Sequence, residues 1–270
     1  MKINVKHNNN TYILNVNKTF DISIPLDFNG QQPNFYNVNK ANVKPLKTDV
    51  ISWSVKENAP CNVPEISLNI HCSSTHTESV GHLLSTGIDI GKIVGDILIP
   101  SLLITIEPEL LEDNEKYHVK IKKNEFVISK NILKDTIDKF SLFNFKGLIV
   151  RTLPNSIKKK QFYYPDNPYP FFTNDAIKYL NSLGIKHLFV DTPSIDRYDD
   201  DGILGNHRLF WNLGNTINDQ LILNSNKTIT EFCYIKDVIK NGFYFVNLQL
   251  PHFQLDAAPS RPILIETIKV

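Results

Sequence analysis

The stretch from Thr173 to Asp191 does most to limit what this chain can fold into. Thr173 stands where a helix N-cap belongs, Asp175 falls in the first turn, and Ala176, Ile177, Leu180 and Leu183 share one face at helical spacing. Gly184 supplies the stop. The apolar run His187 to Val190 follows almost at once and ends at Asp191, so it reads as a buried strand. Gly147 to Arg151 reads as another short buried strand ahead of the helix. Strand, helix, strand in that order predicts a crossover between parallel neighbours. The chain is read as one α/β domain, residues 1–270, with a mixed sheet and a large β component.

Other segments fill in around that unit. Tyr12 to Val16, Asp21 to Ile24, Lys47 to Val55, Glu65 to Ile70 and Tyr117 to Lys123 have strand character, and Leu98 to Ile106 reads as a buried strand. Ile132, Leu133, Ile137 and Phe140 predict a helix over Asn131 to Phe140, and Leu209, Phe210, Leu213 and Ile217 a second one after His207. Phe243 to Leu250 and Pro262 to Ile268 return to strands.

Composition excludes several classes. Hydrophobic residues are 41% and charged residues 21%, which is too apolar for a disordered chain. Lys+Arg is 29 and Asp+Glu 28, so the basic excess of a nucleic-acid binder is absent. No apolar run approaches the ~20 residues that span a bilayer. Pro100 and Ser101 interrupt the longest one, around Ile97 to Ile106. The N-terminus, Met1-Lys2-Ile3-Asn4-Val5, has no apolar leader core, and three cysteines do not make a disulfide framework. The expectation is a cytoplasmic protein that acts on a small molecule, with no membrane or nucleic-acid partner.

The chemistry concentrates in one segment, His71-Cys72-Ser73-Ser74-Thr75-His76-Thr77-Glu78-Ser79-Val80-Gly81-His82. His76 and Glu78 are two residues apart, so on a strand they share a face. Imidazole and carboxylate are the usual ligands of Zn²⁺, Mn²⁺ and related ions, and a catalytic ion needs about three protein ligands. The alternative reading is a polar surface loop, since the spacing matches no zinc-finger pattern.

The segment resembles the His-x-Gly-Thr-His-x-Asp-x-Pro-x-His signature of the cyclase family of metal-dependent hydrolases, which includes kynurenine formamidases and isatin hydrolase. Thr75, His76, Glu78 and His82 stand at the matching spacings. Further blocks follow in order. They are Leu148 to Thr152, Gly184 to Asp196 with its Asp191-Thr192-Pro193-Ser194, His207 with Asp219 twelve residues on, and Asp256 to Pro262. The family's first His position holds Cys72, and His71 lies one residue earlier. Either His71 reaches the ion through a bulged loop, or Cys72 coordinates as a thiolate, or the ligand is lost; a subgroup reading His-x-Asn-Gly-Thr-His-Thr-Glu-x-x-Gly-His favours His71. Ser74, Glu78, Val80 and Asp219 replace the family's Gly, Asp, Pro and Glu.

The resemblance implies a swivelling β/β/α fold and hydrolysis of a formamide or cyclic amide. It implies a divalent metal, Zn or Mn, as two ions held by His71, His76, Glu78, His82, His207 and Asp219. His82 would be general base and acid, as histidine titrates near working pH. A homodimer or homotetramer is implied too. The competing reading is a non-catalytic protein on the same scaffold with a decayed site. Asp191 is read either as a support for a ligand or as plain loop, and Arg151 and Arg261 as structural. The aromatic run Phe162 to Phe172 is either a packing loop or a lid. Cys61 and Cys233 are expected to be buried.

Overall fold

The structure is a computed structural model that describes residues 1–85, 88–111, 115–140, 144–213 and 225–269. The chain opens with a hairpin, β1 (Lys2–His7) and β2 (Asn10–Asp21), then a ribbon of β3 (Asn42–Pro45) and β4 (Pro64–Ser67). One helical turn, α1 (Ile70–Ser73), leads into β5 (His76–Ser79), and α2 (Ile90–Ile93) leads into β6 (Ile99–Ile106). Next come β7 (Glu109–Leu110), β8 (Phe126–Ile128), α3 (Lys130–Ile137) and β9 (Gly147–Thr152). β10 (Phe171–Phe172), α4 (Asn174–Ser182), β11 (His187–Val190) and α5 (Gly205–Phe210) follow. The described chain ends with β12 (Thr228–Glu231), β13 (Gly242–Gln249), β14 (Ala257–Pro259) and β15 (Arg261–Lys269).

Ten strands form one mixed sheet in the order β1-β2-β15-β13-β6-β9-β11-β12-β5-β14. β6, β9, β11 and β12 run parallel at its centre, and antiparallel strands flank them on both sides. The expected crossover is present: β9, α4 and β11 form the unit, with His187 level with Gly147. α4 starts where its cap dictates, since Thr173 Oγ1 accepts from Ala176 N at 3.0 Å. It ends where Gly184 takes a left-handed φ of +73°. Ala176, Ile177 and Leu180 are fully buried, whereas Leu183 sits outside the buried face.

Both faces of the parallel strands are covered, which is why they read as continuous apolar runs. Leu102, Leu148 and Leu188 pack under α3 and α4 against Leu133, Ile177 and Leu180. Their neighbours Leu103, Ile149 and Phe189 point the other way, toward Ile22, Val246 and Leu264.

Three expected strands do not form. Asp21 to Ile24 leaves the ladder after Asp21 and carries only an isolated bridge, Ser23 to Cys233. Lys47 to Val55 carries only an isolated bridge, Lys47 to Ser52, before a 3-10 turn. Tyr117 to Lys123 makes no ladder. Side-chain anchors hold it instead, such as Tyr117 Oη donating to Asp196 Oδ1 at 3.1 Å. The helix after His207 begins before it, at Gly205, and the expected Ile217 position lies outside the described residues. Cys233 is buried as expected, but Cys61 is exposed. Among the described residues no helix is long and apolar enough to cross a membrane.

Candidate metal centre

β5 lies between β12 and β14, and their register builds the site. His76 stands opposite Glu231 on β12, and Glu78 opposite Ile229. The two-residue period puts His76 and Glu78 on one face, as the sequence predicts. α1 brings His71 beside them, its turn fixed by the Asn69 side chain accepting from Cys72 N at 3.0 Å. A 3-10 turn over Val80–Leu83 presents His82, with Ser79 Oγ accepting from Gly81 N. α5 delivers His207. The Asp196 carboxylate holds that helix start by accepting from Asn206 N at 2.9 Å and His207 N at 3.2 Å.

Among the described residues the ligand-type atoms of the site converge in three groups; one is His71, His82 and Asp256, and the other two share Glu78. His71, His76 and Glu78 form one trio and Glu78, His207 and Glu231 the other, each with its nitrogen and oxygen atoms within 4.8 Å of one another. His71 Nδ1 lies 3.1 Å from Glu78 Oε2, and His207 Nε2 lies 2.9 Å from Glu78 Oε1. His76 Nε2 and His207 Nε2 each lie 3.5 Å from a Glu231 oxygen. His76 Nε2 and Glu78 Oε1 are buried with no aligned hydrogen-bond partner among the described residues. A buried imidazole lone pair left open is costly in a dry interior, and the Glu78 oxygen has only the His207 nitrogen beside it. Their chemistry fits a divalent cation, which would take both.

Each of the three imidazoles in these trios has an outer partner on its other nitrogen. His76 Nδ1 donates to the Ser74 carbonyl at 3.0 Å, and His207 Nδ1 to Asp196 Oδ2 at 2.7 Å. His71 Nε2 meets Asp256 Oδ2 at 3.0 Å. Such contacts hold each ring so that its other nitrogen faces the site.

Charge in the site is strongly coupled. Burial lowers the His76 pKa to about 3, with His71 adding to the effect, so His76 is neutral and ready to coordinate. Burial opposes the His71 charge, but hydrogen bonds to Asp256 and Glu78 outweigh it and raise His71 to about 10. Burial likewise opposes charge on Glu78, yet the His82 and His207 charges draw its carboxyl well below the usual range. Burial, then the Glu78 charge, pushes Glu231 up to about 7. Two carboxylates this close need positive charge between or beside them.

The sequence readings fare unevenly. His71, His76, Glu78, His82 and His207 come together as expected. Asp219 lies outside the described residues. Glu231, which sequence spacing missed, supplies the carboxylate facing His207. The one sequence sign is an acid ending the short alternating run Thr228-Ile229-Thr230-Glu231. His71, not Cys72, reaches the carboxylates. Cys72 lines the same cavity, and burial, with Glu231 nearby, pushes its thiol up to about 11. Asp191 supports no ligand in the described site. It accepts from Thr152 N and Oγ1 and pairs with Lys159 Nζ at 2.8 Å. The supporting role falls to Asp196. Arg151 donates to the Lys236 and Ile239 carbonyls, and Arg261 pairs with Asp21 at the surface, so both are structural.

A cavity of about 280 Å³ opens onto the centre. Its apolar wall comes from Phe35 and Tyr36, which the sequence reading did not single out. Tyr36 has a left-handed φ of +60°, a strained setting for an aromatic residue, and its hydroxyl donates to the Tyr198 carbonyl at 3.1 Å. The aromatic run packs behind this wall, with Tyr164 against Phe232 and Tyr169 against Phe35. None of it lines this cavity; Tyr169 and Phe171 border another of about 860 Å³ instead. Trp211 is buried, its ring 5.5 Å from that of His207.

A further trio, His118, Asp196 and Asp200, is not built for an ion. His118 Nδ1 accepts from Asn174 Nδ2 at 3.1 Å, which leaves the proton on Nε2 facing Asp200 at 3.4 Å.

Comparison with known proteins agrees with this geometry. Residues 20–197 match the Cyclase family model, described as "Putative cyclase". The chain is 28% identical over 160 residues to a kynurenine formamidase of Bacillus thuringiensis subsp. konkukian (strain 97-27), which covers 59% of this chain and 65% of that protein. The chain thus spans a little under two thirds of that relative's length. A solved structure of a predicted metal-dependent hydrolase from Bacillus stearothermophilus superposes with a TM-score of 0.56 at 18% identity, covering 92% of this chain and 98% of that one. Isatin hydrolase A from Ralstonia solanacearum gives a TM-score of 0.60 at 12% identity, covering 92% and 91%. These two likenesses establish the fold. Matched over more than half its length by that model, and carrying the histidine segment at the heart of its site, the chain belongs to the cyclase family.

Proposed function

We propose that the chain is a metal-dependent hydrolase that cleaves the C–N bond of a formamide or cyclic amide. The observation that carries this is the pair of ligand trios sharing Glu78, with His76 Nε2 buried and without a hydrogen-bond partner among the described residues. The names of the kynurenine formamidase and isatin hydrolase relatives support the amide class. Two ions, Zn or Mn, fit the donor set: His71, His76 and Glu78 for one, and Glu78, His207 and Glu231 for the other. Bound there, they would acidify a coordinated water and polarise the substrate carbonyl.

The chain's own residues do the rest. His82 Nδ1 donates to Asp256 Oδ2 at 3.1 Å, which turns Nε2 toward the site, 3.9 Å from Glu78 Oε2. His82 Nε2 takes the proton of the attacking water and returns it to the leaving nitrogen. Phe35 and Tyr36 line the cavity in which that transfer would take place. Ser74 and Asp196 keep His76 and His207 turned inward. A cytoplasmic homo-oligomer with a small-molecule substrate belongs to the same reading, supported by the sequence resemblance and the free cysteines.

The test is a hydrolysis screen of formanilides, cyclic imides and lactams with metal-loaded protein. Turnover abolished in His82→Ala with metal content retained supports the assignment. Full turnover in His76→Ala would sink it. Loaded protein inert on every amide would favour the non-catalytic reading.

A further inference from the structure

Asp256 lies between two histidines of different duty. Its Oδ2 is 3.0 Å from His71 Nε2 and 3.1 Å from His82 Nδ1, and the two rings stack at 4.2 Å and 29°. One carboxylate oxygen therefore accepts from both. The other nitrogen of each ring then faces Glu78: Nδ1 of His71 at 3.1 Å and Nε2 of His82 at 3.9 Å. The first is a ligand atom of the first trio, and the second is the base in the proposed reaction.

From this geometry we infer that Asp256 is a positioning residue that orients the rings of His71 and His82 together, so that metal capture and proton transfer depend on one side chain. The inference rests on the proposed hydrolase reading for His82, but not for His71. This role requires of Asp256 no contact of its own with substrate or ion. It acts through the two rings, as Asp196 acts through His207.

The backbone around Asp256 is held independently. Its carbonyl accepts from Ser79 N at 3.0 Å and from Ser79 Oγ at 3.0 Å. The side chain is partly open to solvent, 32% exposed, so its replacement leaves no buried hole. Asp256→Asn keeps the shape but removes the charge, and its amide oxygen is a weaker acceptor than the carboxylate oxygen that both rings share.

The experiment is a Zn²⁺ titration of metal-free full-length protein by calorimetry, wild type against Asp256→Asn and Asp256→Glu. Imidazole ¹⁵N NMR of the Zn²⁺ forms is read alongside. The expected result is a loss of about 10–100-fold in Zn²⁺ affinity for Asp256→Asn. His82 should lose its preference for the Nδ1–H tautomer, and Asp256→Glu should recover part of the affinity. On an amide substrate, kcat at metal saturation should fall with KM little changed. Unchanged Zn²⁺ affinity and an unchanged His82 tautomer in Asp256→Asn overturn the inference, whatever happens to thermal stability. If the wild type hydrolyses no amide, the hydrolase reading fails, while the affinity and NMR arms still decide the role of Asp256.

Discussion

His207 Nδ1 lies 2.7 Å from Asp196 Oδ2, and that contact joins α5 to the loop after β11. Asp196 also binds the backbone N–H groups of Asn206 and His207, so one carboxylate sets both the helix start and the ring orientation. Asp196→Asn should therefore weaken Zn²⁺ binding about 10–100-fold, read by calorimetry on the metal-free protein. Lys159→Ala is the contrast. It strands the buried Asp191 carboxylate and should cost about 3–5 kcal/mol in urea unfolding, with metal content unchanged.

The two acids after His207 separate cleanly by mutation. Glu231 faces His76 across the β5–β12 pair. Glu231→Gln should lose about one equivalent of metal by elemental analysis, and Asp219→Asn should keep the full complement. The reverse pattern would return the ligand role to Asp219.

His71 and Cys72 are adjacent in sequence but differ in reach. The His71 ring meets Glu78 at 3.1 Å, whereas burial holds the Cys72 thiol protonated. Cys72→Ser should retain metal and His71→Ala should lose one ion. A thiolate-to-cobalt charge-transfer band in the Co²⁺-loaded wild type would contradict this.

Acid should unfold the chain partly through His187. Burial lowers its pKa from the ordinary 6.5 to about 4. Between those values the unfolded chain binds a proton that the folded chain refuses, so stability falls as pH drops through that window. Urea midpoints from pH 7 to pH 4 should fall less steeply in His187→Gln than in wild type.

Much of the architecture was legible because its signals are local. Thr173 and Gly184 bound α4, and the apolar runs of β6, β9 and β11 follow from burial on both faces. Tyr117 to Lys123 misled because alternation records half-burial, and side-chain anchors can produce that without a ladder. In the site, His76 and Glu78 were readable from strand period alone. Glu231 and Asp256 were not, because their roles arise from pairing with β5 across long separations in sequence. Phe35 and Tyr36 were hidden for the same reason: their place over the cavity depends on a loop with no periodic signal.

The central claim is a shared two-ion centre built on Glu78. Elemental analysis of untagged protein purified without chelators tests it most directly. The account expects about two equivalents of Zn or Mn per chain, and loss of both in Glu78→Ala. No bound metal after dialysis against Zn²⁺ and Mn²⁺, or full metal content in Glu78→Ala, would contradict it.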